Sequence, residues 1–386
     1  MAEWHLAPWP QYEGADVSAL LFAGADKQAL FGPPLPEFAY PSYGSNMAAW
    51  GADLRVFLTI FVAAVVAALA SPSFAVGFQY LSIPDDAGRP IEIGIWYPSQ
   101  SAIAPTSVGM IVQNVALNGE IDGRDLPMVI FSHGSAGWFR DRSDTALLLA
   151  QQGMVAVSLT YPGDNFRDSS DRAIRVLTGR PVVTSQVIDY VLDSWRGRDH
   201  LDGSKIGFYG FSAGGFTGLI ELGGVPDWTL FARHCAADPA EPVCKQGVAA
   251  FLSSPKAAAM PISVWHHDPR IKAAALASPG FAFAFDPASL QNIGVPVALW
   301  GGSKDQVVPF PSNVAYLKDH LADVVEAHEV ESARHYSFLR PCSPAGQVKN
   351  PELCADLPGF SRVSFQDDLN RQLAQFFRSE LGQKTP

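Results

Sequence analysis

Past residue 75 the chain alternates between two hydrophobic rhythms. Short apolar runs of strand length, each closing on turn-forming residues, recur as "LPMVIFSHG" (126–134), "MVAVSLTYPG" (154–163), "KIGFYG" (205–210), "IKAAALAS" (271–278), "VPVALWGG" (295–302) and "VVEAHEVE" (324–331). Between and after them lie segments of helical period: "SDTALLLAQQG" (143–153), "VVTSQVIDYVLDSW" (182–195), "GGFTGLIEL" (214–222), "SNVAYLKDHL" (312–321) and "FQDDLNRQLAQFFRSEL" (365–381). "GFQYLSI" (77–83) and "PIEIGIWYP" (90–98) read as an opening antiparallel pair. Strands separated by helices predict an α/β fold, a mostly parallel central sheet covered by helices on both faces. In such a sheet, functional groups gather at the carboxyl ends of the strands. Residues 223–268 break the rhythm; a segment this long, carrying Trp228, Phe231 and Trp265, is expected to be a lid inserted over a pocket.

The first 75 residues have a different character. Residues 1–46 are rich in Pro, Gly, Ala and aromatics without periodicity, and are expected to be disordered or an upstream extension of the reading frame. From 47 to 75 the anatomy is that of a secretory signal peptide. Arg55 precedes an unbroken apolar run from Val56 to Ala70, and Ser73-Phe74-Ala75 offers small residues two apart before a cut after Ala75. Translation is accordingly expected to start at Met47, with a secreted or periplasmic catalytic domain over 76–386 that keeps no membrane span; the alternative is an uncleaved anchor formed by residues 56–70.

The cysteines agree with export. All four lie beyond residue 75, Cys235 near Cys244 and Cys342 near Cys354, and of the three possible pairings local closure of each loop is favoured. A net charge of −11 with no basic run argues against nucleic acid and anionic membrane surfaces as partners. Zinc-ligand spacing, phosphate loop and dinucleotide fingerprint are all missing, so neither metal nor cofactor is expected. His266-His267-Asp268 comes nearest to a metal cluster, and adjacent side chains on an extended segment point different ways.

Chemistry enters at Gly210-Phe211-Ser212-Ala213-Gly214. A strand that turns abruptly into a helix strains the apex residue, and only very small residues two before and two after let the chains pass. Ser212 is thereby predicted to be a nucleophile at the sheet's end, beside a helix N-terminus able to stabilise an oxyanion. A serine hydroxyl needs a base, and the base needs a group to hold its tautomer. Asp305 follows the strand "VPVALWGG" and His335 follows "VVEAHEVE", so the chain order is nucleophile, acid, histidine. Asp286, Asp164 and Glu331 are the other acids able to orient the histidine. The oxyanion is expected to meet the backbone N–H groups of Ala213 and of Ser135, in the turn after "VIFSHGSAG"; His133 is read as shaping that turn.

The chain from about residue 77 resembles the α/β-hydrolase superfamily, and within it the predicted dienelactone hydrolases, relatives of the plasma platelet-activating-factor acetylhydrolases. The residues carrying the resemblance are "IGIWYPS", "FSHGSAG", "TYPGDN", "GFSAGGFTGL", "DPRIKAAALASPGFAFAF", "VPVALWGGSKDQVVP" and "RHYSFLRPC". It implies an ester hydrolase acting on a small-molecule or lipid-like ester, with Ser212 as nucleophile, His335 as base, Asp305 as its partner and the Ser135 and Ala213 amides as the hole. The sequence departs from the pattern in having no cysteine in the elbow, Phe211 where many esterases carry histidine, and Tyr161 in place of a His-Pro-Gly histidine. Phe211 is expected at the pocket floor and Tyr161 in the acyl pocket. Rival readings are an acyltransferase or peptidase on the same fold, and a non-catalytic binding protein.

Overall fold

The computed structural model describes residues 74–382, Arg172 excepted. The expected extension over 1–46 and most of the signal-like segment over 47–75 lie outside the described residues. Ten strands form the sheet: β1 (Ala75–Pro84), β2 (Pro90–Ser99), β3 (Ala104–Val108), β4 (Ile111–Leu117), β5 (Leu126–Ser132), β6 (Val155–Thr160), β7 (Leu201–Phe211), β8 (Ile271–Ala277), β9 (Val297–Gly302) and β10 (Val324–Val330). Their order is β10-β9-β8-β7-β5-β6-β2-β1-β4-β3. Every pair from β10 to β6 is parallel, while β2 runs antiparallel to both β6 and β1.

The inner parallel strands are buried on both faces, which is why β5, β6 and β9 read as unbroken apolar runs, while β10 at the edge is only half-buried. Alternation still sorts their side chains. On β7, Ile206 and Phe208 enter one layer, and Tyr209 and Phe211 the other. The first layer is closed by α2 (Ala173–Asp193) and α3 (Ala213–Glu221), through Leu177, Val187, Phe216 and Leu219. The second is closed by α1 (Ser143–Gln151) and the last helix (Arg362–Glu380), through Leu149, Leu369, Leu373 and Phe377.

Two features depart from the expected element list. The β3–β4 hairpin extends one edge of the sheet beyond the opening pair. Helix α2 starts nine residues before "VVTSQV" and runs through Gly179 and Pro181, residues whose propensities argue for a break. Arg180 between them is buried, and its side chain ties the helix to the neighbouring loops.

The insertion is helical, with α4 (Trp228–Ala237), α5 (Gly247–Leu252) and α6 (Pro255–Ala258). Cys235 is bonded to Cys244 inside it, and Cys342 to Cys354 near the C-terminal side, the local pairing anticipated above. Phe231 is buried against Phe281 and Phe283, and Trp228 against Phe216, Phe231 and Trp265, so both belong to the core. Among the described residues, no helix is long and apolar enough to cross a membrane.

Candidate functional site

Strand β7 ends at Phe211 and α3 begins at Ala213, which leaves Ser212 at the apex. Its φ of 55° and ψ of −116° are rarely adopted by a residue bearing a Cβ. The flanking glycines explain how the turn closes. A Cβ on Gly210 would lie 2.3 Å from the Gly214 carbonyl oxygen, and one on Gly214 would lie 2.1 Å from that of Ser132. Backbone hydrogen bonds hold the apex from both sides: the Ser212 N–H donates to the Ala277 carbonyl (2.9 Å), and the Gly280 N–H donates to the Ser212 carbonyl (3.1 Å).

The loops after β9 and β10 are stitched together. The Ser303 N–H donates to Val330 and the Lys304 N–H to Ala333, both at 3.0 Å, and a Cβ on Gly302 would strike the Ala333 carbonyl at 2.3 Å. This contact sets Asp305 beside His335. The structure brings together the three side chains singled out in the sequence: His335 Nδ1 donates to Asp305 Oδ2 at 2.8 Å, and His335 Nε2 lies 3.0 Å from Ser212 Oγ. With the Nδ1 proton committed to the carboxylate, Nε2 is free to accept the serine proton. The second Asp305 oxygen accepts from the Val307 (2.9 Å) and Val308 (2.7 Å) N–H groups. Both partners are buried.

The alternative acids are engaged elsewhere. Asp286 caps the helix Pro287–Gln291, Asp164 pairs with Arg180 at 2.6 Å, and Glu331 is exposed and accepts from Ser332.

Ser135 and Ala213 flank the nucleophile. A Cβ on Gly134 would lie 3.4 Å from the Ser212 Cβ, so the turn after β5 abuts the elbow. The Ala213 N–H opens α3, where the first N–H groups have no intrahelical acceptor, and neither it nor the Ser135 N–H donates within the described structure. His133 shapes this turn, as expected. Its Nδ1 donates to the Gly134 carbonyl at 2.6 Å and its Nε2 accepts from the Tyr161 N–H at 3.2 Å. Burial, reinforced by the Arg180 charge, pushes the imidazole down to about 3, so it stays neutral.

Phe211 is buried, with its ring 4.9 Å from the His335 ring and 6.2 Å from that of Phe338, and so braces the imidazole from behind; it also lines a small cavity together with Ser132, His133 and Gly134. One expectation is corrected. Tyr161 does not line an acyl pocket. Its hydroxyl is buried between the Ser132 and Thr184 hydroxyls, 2.8 Å from each, beneath the Arg180 guanidinium. Arg180, whose one signal in the sequence is an arginine beside Pro181 just before the predicted helix, was assigned no role there.

His266 and Asp268 do not converge as ligands; each bonds the Ser185 hydroxyl, and Asp268 also pairs with Arg270. Among the described residues, His234, Asp238 and Glu241 bring potential ligand atoms within 4.8 Å of one another. Each has other work. Glu241 accepts from the Ser312 hydroxyl (3.0 Å), the His234 ring stacks on Phe283 (3.9 Å), and Asp238 accepts from the Ala240 N–H (3.0 Å).

In sequence, no protein-family model and no curated protein matches the chain. In structure, it is similar to the ferulic acid esterase from Streptomyces cinnamoneus, with a TM-score of 0.55 at 16% identity, covering 82% of this chain and 93% of that one. At that identity the likeness is one of architecture. Together with the strand order and the elbow after β7, it places the chain in the α/β-hydrolase fold.

Proposed function

We propose that this chain is a serine hydrolase that cleaves a carboxylic ester through an acyl-enzyme. The observation that carries the reading is the line Asp305–His335–Ser212, at 2.8 and 3.0 Å, ending on a strained serine beside two unengaged backbone N–H groups. Ser212 Oγ attacks the ester carbonyl carbon while His335 Nε2 takes its proton, and Asp305 stabilises the imidazolium. The carbonyl π electrons move to oxygen, which the Ser135 and Ala213 N–H groups receive; each such donor contributes about 3–4 kcal/mol to the transition state. Collapse expels the alcohol, protonated by His335. Water then repeats the sequence on the acyl-enzyme and releases the acid.

The acyl portion is apolar or aryl in this reading. Phe281 follows Gly280, whose N–H holds the Ser212 carbonyl, and it remains half-buried beside Phe216, as does Trp265. The similarity to an esterase of ferulic acid, an aryl acyl group, points the same way. The motifs quoted above support a finer placement among the dienelactone hydrolase and platelet-activating-factor acetylhydrolase relatives. Two disulfides support an oxidising compartment, reached through the signal-like segment ending near Ala75. β1 begins at Ala75 itself, so a cut there leaves Val76–Pro84 to pair with β2. N-terminal sequencing of the exported protein should read from Val76; an intact upstream segment would contradict cleavage.

Activity is tested with esters of one alcohol and graded acyl groups, acetate through octanoate and a ferulate, against the wild type and Ser212→Ala. Turnover favouring the longer or aryl acyl groups, and abolished in a folded variant, is the expected result. Hydrolysis at the wild-type rate by Ser212→Ala would overturn the reading.

A further inference from the structure

The turn that carries Ser135 is built on a buried ion pair with no part in the proton relay. Arg180 lies on α2 and Asp164 in the loop after β6, their side chains 3% and 9% exposed and joined at 2.6 Å. From this pair, hydrogen bonds run to three residues of the turn, two before Ser135 and one after it. Arg180 Nη1 donates to the His133 carbonyl at 2.7 Å, Arg180 Nη2 donates to the Gly134 carbonyl at 3.0 Å, and Asp164 Oδ1 accepts from the Ala136 N–H at 3.0 Å. Ala136 has a φ of 55°, a left-handed conformation that a residue with a Cβ resists.

The middle bond has a geometric consequence. A trans peptide is planar, with its C=O and N–H pointing in opposite directions. The Gly134 carbonyl and the Ser135 N–H belong to the same peptide. Fixing the carbonyl on Arg180 therefore fixes the Ser135 N–H on the opposite face of the turn. Gly134 imposes almost no torsional restraint of its own, so the plane of this peptide is set by the donors to its carbonyl: Arg180 Nη2 with His133 Nδ1 (2.6 Å) and the Gly137 N–H (3.2 Å). Of these only Arg180 also holds the His133 carbonyl and, through Asp164, the Ala136 N–H, so its loss loosens the turn on both sides of the peptide and lets the Ser135 N–H swing away from the oxyanion. An arginine suits the task because one planar fork reaches two carbonyls and a carboxylate together.

We propose that Arg180 and Asp164 are positioning residues of the oxyanion hole, locking the plane of the Gly134–Ser135 peptide so that the Ser135 N–H is ready for the tetrahedral intermediate. The inference rests on the ester-hydrolase reading above. Neither residue touches the substrate. Their contribution falls on the transition state, in kcat, and leaves ground-state binding alone.

The test compares wild type, Arg180→Lys and Arg180→Met by steady-state ester hydrolysis and by the rate at which a fluorophosphonate modifies Ser212, with thermal melts to confirm folding. Lysine keeps the charge and loses the fork; methionine loses both. The expected result is a fall in kcat of about 10-fold for lysine and about 100-fold for methionine, with KM within about threefold of wild type and phosphonylation slowed in parallel. Folded variants with wild-type kcat and phosphonylation rates, or a loss confined to KM, would overturn the clamp. Should both arginine variants fail to fold, Asp164→Asn keeps an acceptor for the Ala136 N–H without the charge. It should lower kcat about 10-fold at constant KM, and an unchanged kcat would overturn the clamp. A wild-type protein that forms no Ser212 adduct fails differently, because it removes the hydrolase reading itself and the clamp with it.

Discussion

Asp305 holds His335 with one carboxylate oxygen, at 2.8 Å from Nδ1, and is itself held through the other by the Val307 and Val308 N–H groups. The acid thus has no freedom to let the imidazole turn. Replacing Asp305 by Asn preserves an acceptor for the two N–H groups but offers Nδ1 either the wrong tautomer or a poorer partner. In the hydrolase reading, kcat should fall by about 10⁴ with little change in the melting temperature. Activity within tenfold of wild type would show that another group orients the base.

Gly214 is fixed by space. A methyl group there would press on the Ser132 carbonyl, backbone against backbone, where no side chain can give way. Gly214→Ala should destabilise the fold by about 3 kcal/mol and displace the turn bearing Ser135. Denaturant unfolding checks the first effect. A variant as stable as wild type would mean that the elbow is looser than the structure shows.

His133 makes stability depend on pH. Its pKa in the fold, about 3, lies below the ordinary value of 6.5, so between those values the unfolded chain binds a proton that the folded chain refuses. Its contribution is complete above pH 6.5 and is lost as the pH falls towards 3. From pH 7 to pH 5 that amounts to about 2 kcal/mol. Urea unfolding at the two pH values, compared with His133→Gln, should show this share of the slope missing in the variant. Equal slopes would place the acid sensitivity elsewhere.

Much of this architecture was legible because both periodicities were clean. The inner parallel strands β5 to β9 announced themselves as buried runs, β10 as an edge strand of mixed polarity, and the elbow as a spacing that only steric crowding explains. What was hidden depended on tertiary contacts. Helix α2 passes through Gly179 and Pro181 because it packs against the sheet through Leu177, Val183 and Val187 and is tied to the loops by Arg180, and a local propensity scale sees neither effect. Tyr161 was placed in the acyl pocket because it stands where relatives carry the histidine of His-Pro-Gly, but side-chain direction sends it into a hydroxyl network instead. Chain order set aside only Asp164 among the three rival acids; Asp305 stood out by its loop directly after the strand "VPVALWGG", and the rivals proved to be a helix cap, an arginine partner and an exposed residue.

The two disulfides close loops of sequence separation 9 and 12. Each should contribute about 3 kcal/mol by restricting the unfolded chain. Mass mapping without reductant should find Cys235 with Cys244, Cys342 with Cys354 and no free thiol. Reduction should lower the melting temperature without unfolding the sheet at 25 °C. Crossed pairs would contradict the loop geometry.

Whether Ser212 is an activated nucleophile is read by incubation with a fluorophosphonate probe, followed by intact mass and peptide mapping of the wild type and of Ser212→Ala. One adduct is expected, on Ser212, absent from the variant. A folded wild-type protein that stays unmodified, or an adduct that persists in Ser212→Ala, would contradict that role.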